Sequence, residues 1–582
     1  MKDFWKMLLA VVCGLFIAGF VGFVLFFGFV GTLAAAGSAA KPVLPKEGVL
    51  AIDMSGFVIS EQDQPANPFA SMNSAGGPVP TIGLYKAVKG LEAAAKDPGV
   101  KFAFLRTDGN LSDISTSEEF RKALKEFRAS GKAVVAYTES PSTGSYWLAS
   151  VADKLYMTSY QGSSVMFTGI STQSFFLKDL LDKLGVNVQL IRHGKYKSAG
   201  EMFVRNSSSP ENREQYQAMV DALWGSIGGE IAQSRGISVE KLNSLIDGLN
   251  LCLPEDFLAE GLVDGLVTRE ELKEKLAAVA VAESFKDVKM IAFPDYVKAK
   301  IVPAIKAKNN IAVIYANGEI VEGKDPRNID GDRFARLIDK VRADSSIKAV
   351  VLRVNSPGGS VLASEKIKHE LDLLGEVKPL VASYGTYAAS GGYWISNNCR
   401  RIFSDATTLT GSIGVFGMVP DFSKTAKDVL HVGVMNVSSN KHGDMYSLMR
   451  PFDKDEYNYM LRSIENVYDK FTSIVSEGRG LSKARVDEIG QGRVWAGSDA
   501  LGLGLVDELG TLRDAIDYTA SLVGFESGSF HVAEYPEPMS ELKMFMEMLG
   551  QKTEPDQFVK ARLSEFAKPQ VLARMPHDIC VK

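Results

Sequence analysis

The chain has 582 residues, 46% hydrophobic and 23% charged, the composition of a globular protein able to bury large cores rather than of a disordered or fibrous one. Its net charge of −5, from 65 basic and 70 acidic residues, offers no electrostatic footprint for nucleic acid, and that class is set aside. Four cysteines, Cys13, Cys252, Cys399 and Cys580, lie far apart, without the paired spacing of a zinc site or a disulfide framework.

Residues 7–36 contain no charged side chain, and the run exceeds the roughly 20 residues that cross a bilayer as a helix. Lys2 and Lys6 precede it, so the positive-inside bias predicts a cytoplasmic N-terminus and an exported body. The competing reading is a cleaved signal peptide, because Leu33 is followed by the small residues Ala34, Ala35, Ala36, Gly37, Ser38, Ala39 and Ala40. The length of the apolar run favours a retained anchor.

Beyond the anchor the sequence repeats itself. Val49-Leu50-Ala51-Ile52 reads as a strand, and Ile311-Ala312-Val313-Ile314 opens a second copy in the same way. Arg106 matches Arg353, Ser117-Glu118 matches Ser364-Glu365, and Thr143-Gly144-Ser145-Tyr146-Trp147 matches Ser390-Gly391-Gly392-Tyr393-Trp394, each 247 positions apart. A fixed offset over such a span argues for duplication. Residues 60–80, rich in Pro, Ser, Gly and Asn, read as a surface insertion in the first copy. Each copy then alternates strand-like and helical runs, which predicts parallel strands with helical crossovers. In the first, Ser115-Thr116-Ser117-Glu118 has capping-box spacing and predicts a helix start, with Ala133-Val134-Val135-Ala136 as the next strand. In the second, 350–354 and 380–383 read as strands around a helix at 363–374.

The segments 209–277 and 453–520 are helical arms of the two copies, matched by Arg235-Gly236 with Arg479-Gly480 and by Gly261-Leu262-Val263-Asp264 with Gly504-Leu505-Val506-Asp507. The last fifty residues show no counterpart in the first half; Met539, Met544, Met546 and Met548 form a stripe expected to pack on the body or on a neighbouring subunit. The organisation expected is an N-terminus and transmembrane anchor over 1–40, repeats over 47–300 and 308–525, and a tail over 526–582.

Chemistry concentrates in the second copy. Asn355-Ser356-Pro357-Gly358-Gly359-Ser360 follows a buried strand, where parallel sheets place their sites, and its glycines let backbone N–H groups approach a substrate. This is an oxyanion-hole candidate. Ser390, between small residues at a helix start, is the nucleophile candidate, with the N–H of Gly391 beside it. A serine hydroxyl needs a base. His369 sits among Lys366, Lys368 and Glu370 on a solvated helix face, His531 and His577 fall in the tail, and His193 and His442 align with each other as turn residues. At that aligned turn Lys197 in the first copy faces Tyr446 in the second, just as Ser390 faces Thr143. Each half keeps what the other has lost, and a desolvated lysine can serve as base.

The set Asn355-Ser356-Pro357-Gly358-Gly359-Ser360, Ala389-Ser390-Gly391-Gly392-Tyr393-Trp394, Thr410-Gly411-Ser412-Ile413-Gly414-Val415 and Tyr196-Lys197-Ser198-Ala199 strongly resembles the long, duplicated form of the signal peptide peptidase A (protease IV) family. The resemblance implies an α/β fold of two tandem crotonase/Clp-protease-like units with helical arms behind one transmembrane helix. It implies a serine–lysine endopeptidase in which Ser390 attacks, Lys197 takes the proton, Ser412 orients the amine, and the N–H groups of Gly358 and Gly391 hold the oxyanion. It further implies peptide substrates derived from signal peptides, a homotetramer and a bacterial inner membrane location facing the periplasm; the sequence itself gives no sign of a metal or organic cofactor. Thr143 at the other nucleophile position leaves one site per chain. Two alternatives stay open: a crotonase-like acyl-CoA enzyme, which needs a carboxylate base, and a catalytically silent membrane scaffold.

Overall fold

Two sheets, one from each copy and parallel except where Leu409–Gly411 pairs antiparallel with Val494–Ala496, carry the architecture, and their strands form where β-branched and aromatic residues run continuously, the pattern of strands buried on both faces. The computed structural model describes residues 41–63, 79–109, 112–301, 310–323, 328–526, 529–537 and 570–575, with Gly14 and Gly19 besides. The predicted anchor at 7–36, apart from those two glycines, and the methionine stripe lie outside the described residues. Among the described residues no helix is long and apolar enough to cross a membrane.

The first sheet has the spatial order Gly265–Val267, Lys154–Thr158, Val134–Thr138, Val100–Arg106, Gly48–Asp53, Met290–Ala292. The second runs Val494–Ala496, Leu409–Gly411, Leu380–Ala389, Ile347–Ser356, Asn310–Asn317, His531–Tyr535. The outer strands Met290–Ala292 and His531–Tyr535 each pair in parallel with the opening strand of their own copy. The tail therefore does have a counterpart in the first half over 531–535; the topological match had no matching residues by which to find it.

The duplication reaches individual hydrogen bonds. Tyr146 Oη donates to the Leu262 carbonyl at 2.5 Å, and its repeat partner Tyr393 donates to the Leu505 carbonyl at 2.9 Å. The long arm helices Pro210–Arg235 and Lys454–Arg479 both end on a left-handed glycine, Gly236 and Gly480, with φ of 66° and 63°. A glycine meets that conformation without Cβ strain.

One expected local feature does not form. The helix Ile114–Ala129 begins at Asp113 rather than at a Ser115/Glu118 box. Glu118 is drawn away because it reaches the other copy, accepting from the Thr407 N–H, the Thr407 hydroxyl and the Ala406 N–H at 3.1, 2.7 and 3.2 Å. It belongs to a buried ionic joint. Arg353 of the second copy meets Glu61 at 2.8 and 3.0 Å and Glu119 at 2.8 Å, while Lys122 lies between Glu118 at 3.1 Å and Asp405 at 3.2 Å. Burial pushes the carboxyl of Asp405 well above its ordinary range.

A third, mixed sheet crosses between the copies. Asn187–His193 of the first runs antiparallel to Val415–Asp421 of the second, with His193 opposite Val415 and Asn187 opposite Asp421. The segment aligned with it in sequence, 436–442, forms no strand, so the shared His193/His442 turn does not exist as one structure. His193 stacks on Tyr468, whereas His442 bonds Glu456 at 2.9 Å.

Removing the charge of Arg353 strands two buried carboxylates, which costs about 3–5 kcal/mol. Arg353→Leu is therefore expected to lower the urea midpoint strongly, whereas Arg106→Leu, its repeat partner in a half-exposed pair with Glu139, changes stability by no more than about 1 kcal/mol. Equal shifts for both variants would refute the clamp.

Candidate active site

The crossing sheet sets the site. Lys197 lies four residues beyond His193 and Ser412 three residues before Val415, so pairing these two residues brings lysine and serine to the same end of the sheet. Two glycines then let the backbones close. A Cβ on Gly194 would stand 2.5 Å from the Gln491 carbonyl oxygen, and one on Gly492 would stand 2.6 Å from Lys197 N. Their φ values of 100° and 80° suit glycine alone. The Tyr196 N–H donates to the Gln491 carbonyl at 2.9 Å, and Arg192 Nη1 holds the Lys197 carbonyl at 2.9 Å. Arg192 is in turn fixed by Glu201 at 2.9 Å.

Ser390 ends the strand Leu380–Ala389 and caps the helix Gly391–Ser396, but its hydroxyl makes no capping bond. Its backbone takes φ 55° and ψ −111°, a conformation that costs a non-glycine residue about 1–3 kcal/mol. The Ser390 N–H donates to the Gly411 carbonyl at 2.8 Å, anchoring that geometry. Thr143, the repeat partner, instead begins a regular helix capped by Ser142, and its hydroxyl donates to the Gly169 carbonyl at 3.0 Å. The first copy thus lacks both the hydroxyl type and the strained turn.

The structure brings Lys197, Ser390 and Ser412 together. Lys197 Nζ lies 2.8 Å from Ser390 Oγ, 3.0 Å from Ser412 Oγ and 3.2 Å from the Ser412 carbonyl. All three residues have no exposed surface. Burial alone pushes the Lys197 amine well below its ordinary value, with no charged neighbour contributing. A neutral amine offers a lone pair to a serine proton; an ammonium does not. Ser412 also has positive φ, 50°, and its N–H donates to the Arg493 carbonyl at 2.7 Å, which aims its side chain and carbonyl at Nζ.

Gly358 and Gly391 abut. A Cβ on Gly391 would stand 3.1 Å from Gly358 Cα, and one on Gly358 would stand 2.6 Å from Gly391 N. The Gly358 N–H donates to Ser356 Oγ at 3.2 Å, a long contact that a stronger acceptor can displace, while Gly391 N opens a helix and needs no partner within it. The arrangement can accept a proton from a hydroxyl and present N–H groups beside it. Sequence reasoning missed Arg192, Glu201, Gln491 and Gly492, which shape the lysine pocket through backbone contacts that carry no motif. For a metal, His442, Asp453 and Glu456 come together, but Arg450 already binds Glu456 through two nitrogens at 2.7 Å, so a cation there would meet a guanidinium.

A buried serine and a buried amine thus meet from the two halves of a duplicated α/β chain, and the relatives of that chain make it a serine endopeptidase. The family model for peptidase family S49 matches residues 126–283 and 372–526, and the chain belongs to that family. It is 35% identical to Protease 4 of Haemophilus influenzae over 90% of this chain and 86% of that one. It is 37% identical to Protease 4 of Salmonella typhi, covering 74% and 69% of the two chains. To the chloroplastic serine protease SPPA of Arabidopsis thaliana it is 29% identical, over 73% of this chain and 63% of that protein. ClpP1 from Listeria monocytogenes, a solved structure, aligns over 35% of this chain and 92% of its own at 16% identity and a TM-score of 0.22, too low to carry an argument.

A lysine neutral in the folded state and charged in the unfolded one makes the unfolded state bind the extra proton, so stability rises with pH between the lowered folded value and the ordinary one near 10.4. Relative to Lys197→Met, the native chain is expected to gain about 1.4 kcal/mol per pH unit across that window. Parallel stability curves for the two proteins, measured in urea from pH 6 to 10, would contradict a neutral Lys197.

Proposed function

We propose that this serine endopeptidase works through a Ser390–Lys197 dyad and cleaves signal-peptide remnants and other apolar peptides, tethered by residues 7–36 to the bacterial inner membrane with its body in the periplasm. The repeat 47–300 supplies the base and the repeat 308–525 the nucleophile. The observation that carries the reading is the 2.8 Å approach of Nζ to Oγ in a pocket from which water and carboxylates are withdrawn. As Ser390 Oγ attacks the peptide carbonyl, its proton passes to Lys197 Nζ, and the developing oxyanion is received by the N–H groups of Gly391 and Gly358. The ammonium then returns the proton to the leaving amine, and water repeats the cycle on the acyl-enzyme. Ser412 holds Nζ in line throughout.

Names of relatives favour this reading, since Protease 4 and a putative signal peptide peptidase SppA of Enterococcus faecium are among them. An acyl-CoA enzyme would need a carboxylate base, and among the described residues Ser390 Oγ is bonded by an amine instead. A silent scaffold would have no reason to maintain the strain at Ser390. Assembly as a tetramer belongs to the same proposal and rests on the family resemblance.

Ser390→Ala and Lys197→Ala are each expected to lower kcat on an apolar peptide by about 1,000-fold or more with assembly unchanged. Ser412→Ala, which leaves the base present but free to turn, should cost about 10–100-fold. The rate of the native enzyme rises with pH to a plateau, with its inflection below the ordinary lysine value, because only the unprotonated amine is competent. A flat profile from pH 6 to 10, or native turnover in either dyad variant, would overturn the mechanism.

A further inference from the structure

One residue outside the dyad is tied to the neighbours of all three site residues. Arg493 directly precedes the strand Val494–Ala496, which pairs antiparallel with Leu409–Gly411, Gly411 opposite Val494. The Arg493 carbonyl accepts the Ser412 N–H at 2.7 Å, and a Cβ on Gly411 would stand 3.1 Å from that same oxygen. The Gly411 carbonyl in turn receives the Ser390 N–H at 2.8 Å. The Arg493 main chain therefore abuts the short segment that fixes the strained Ser390 and whose next residue bonds Lys197 Nζ.

The side chain reaches the lysine by another route. The Arg493 guanidinium carbon lies 4.8 Å from the centre of the Tyr196 ring and 4.3 Å from that of Trp495. Both lie within the ~6 Å at which the negative face of an aromatic ring attracts a cation. Nη1 donates to Tyr196 Oη at 3.3 Å and to Glu214 Oε1 at 3.2 Å, and Tyr196 Oη donates to the same carboxylate oxygen at 3.0 Å. Tyr196 is buried and directly precedes Lys197. Glu214 stands in the helix Pro210–Arg235 of the first copy, and the next residue, the fully buried Gln215, accepts the Val494 N–H at 2.8 Å. Two adjacent residues of one copy thus grip two adjacent residues of the other.

The position asks for a guanidinium. Its plane can lie on a ring while its edge donates to a carboxylate, which the point charge of a lysine cannot do. Glu214 is 56% exposed, so the ion pair by itself contributes little, and the weight falls on the flat contact with Tyr196 and Trp495.

We propose that Arg493 is a positioning residue for the reaction: it ties Lys197 to Ser390 through Ser412 on its main chain and through Tyr196 on its side chain, and so keeps the amine aimed and out of water. This role rests on the dyad reading above.

The test is the pH dependence of kcat and KM on an apolar peptide for full-length Arg493→Leu and Arg493→Lys. Arg493→Leu is expected to lower kcat by about 10–100-fold with KM within about twofold of native. The inflection of its pH profile moves up toward the ordinary lysine value, because a loosened Tyr196 admits water and a solvated amine keeps its proton. Arg493→Lys keeps the charge but not the planar contact, and is expected to move both quantities the same way, with kcat lower by about threefold or more. Native kcat in both variants would overturn the role, and so would a lowered kcat with an unmoved inflection, the mark of a merely structural loss. A raised KM at native kcat would overturn it too, since Arg493 would then belong to the surface that binds substrate. Should Arg493→Leu not fold, Arg493→Lys decides by the same criteria. A flat native profile from pH 6 to 10 would sink the dyad, and this role with it, whereas a native inflection below the ordinary lysine value with unaltered variants sinks this role alone.

Discussion

Everything at the site depends on an amine held out of water without a countercharge. An ammonium in that pocket would need a carboxylate to be tolerable, and a carboxylate would raise the lysine pKa and keep the amine protonated, without a lone pair to accept a proton. Glu201, the nearest acid in the lysine's own loop, is occupied by Arg192 and by Ser209, whose hydroxyl it accepts at 2.7 Å. The lowered pKa of Lys197 is thus produced by what has been kept away from it. Tight closure achieves this, through the glycines at 194 and 492 and the crossing of one strand from each copy.

The duplicated frame explains both the stability of that arrangement and its single occupancy. Contacts unrelated to catalysis persist in both copies, such as the Tyr146 and Tyr393 hydroxyls on equivalent carbonyls and the glycine-ended arm helices. Contacts that join the copies are asymmetric by necessity. Arg106 reaches a half-exposed glutamate of its own copy, whereas Arg353 is engulfed by two acids from the other. Glu118 likewise abandons a local cap to brace the loop that leads to Leu409–Gly411, the strand beside Ser390. Divergence of the halves is therefore a division of labour between an interface and a reaction centre.

Much of this was legible in the sequence. Repeat offset, strand positions and the pairing of a lost serine with a retained lysine all follow from side-chain identity at fixed spacing, and the three side chains named from the residues or from the resemblance do converge. The oxyanion candidates abut, but the long bond from Gly358 N–H to Ser356 was not foreseeable, because backbone direction after Pro-Gly-Gly depends on the neighbouring strand. The capping box at 115–118 was misread since local spacing is blind to a partner 289 positions away. The tail strand His531–Tyr535 escaped for a different reason: pairing at a sheet edge is made by main-chain groups, and these leave no residue signature to align.

The division of Lys197 and Ser390 over two halves also has a temporal consequence. Ribosomal synthesis delivers the amine first and the alcohol only after some 193 further residues, and neither has its final environment until the second fold docks on the first. A growing or broken chain consequently lacks the Lys197–Ser390 contact, and with it any cutting power that the proposed dyad supplies, until both halves are in place.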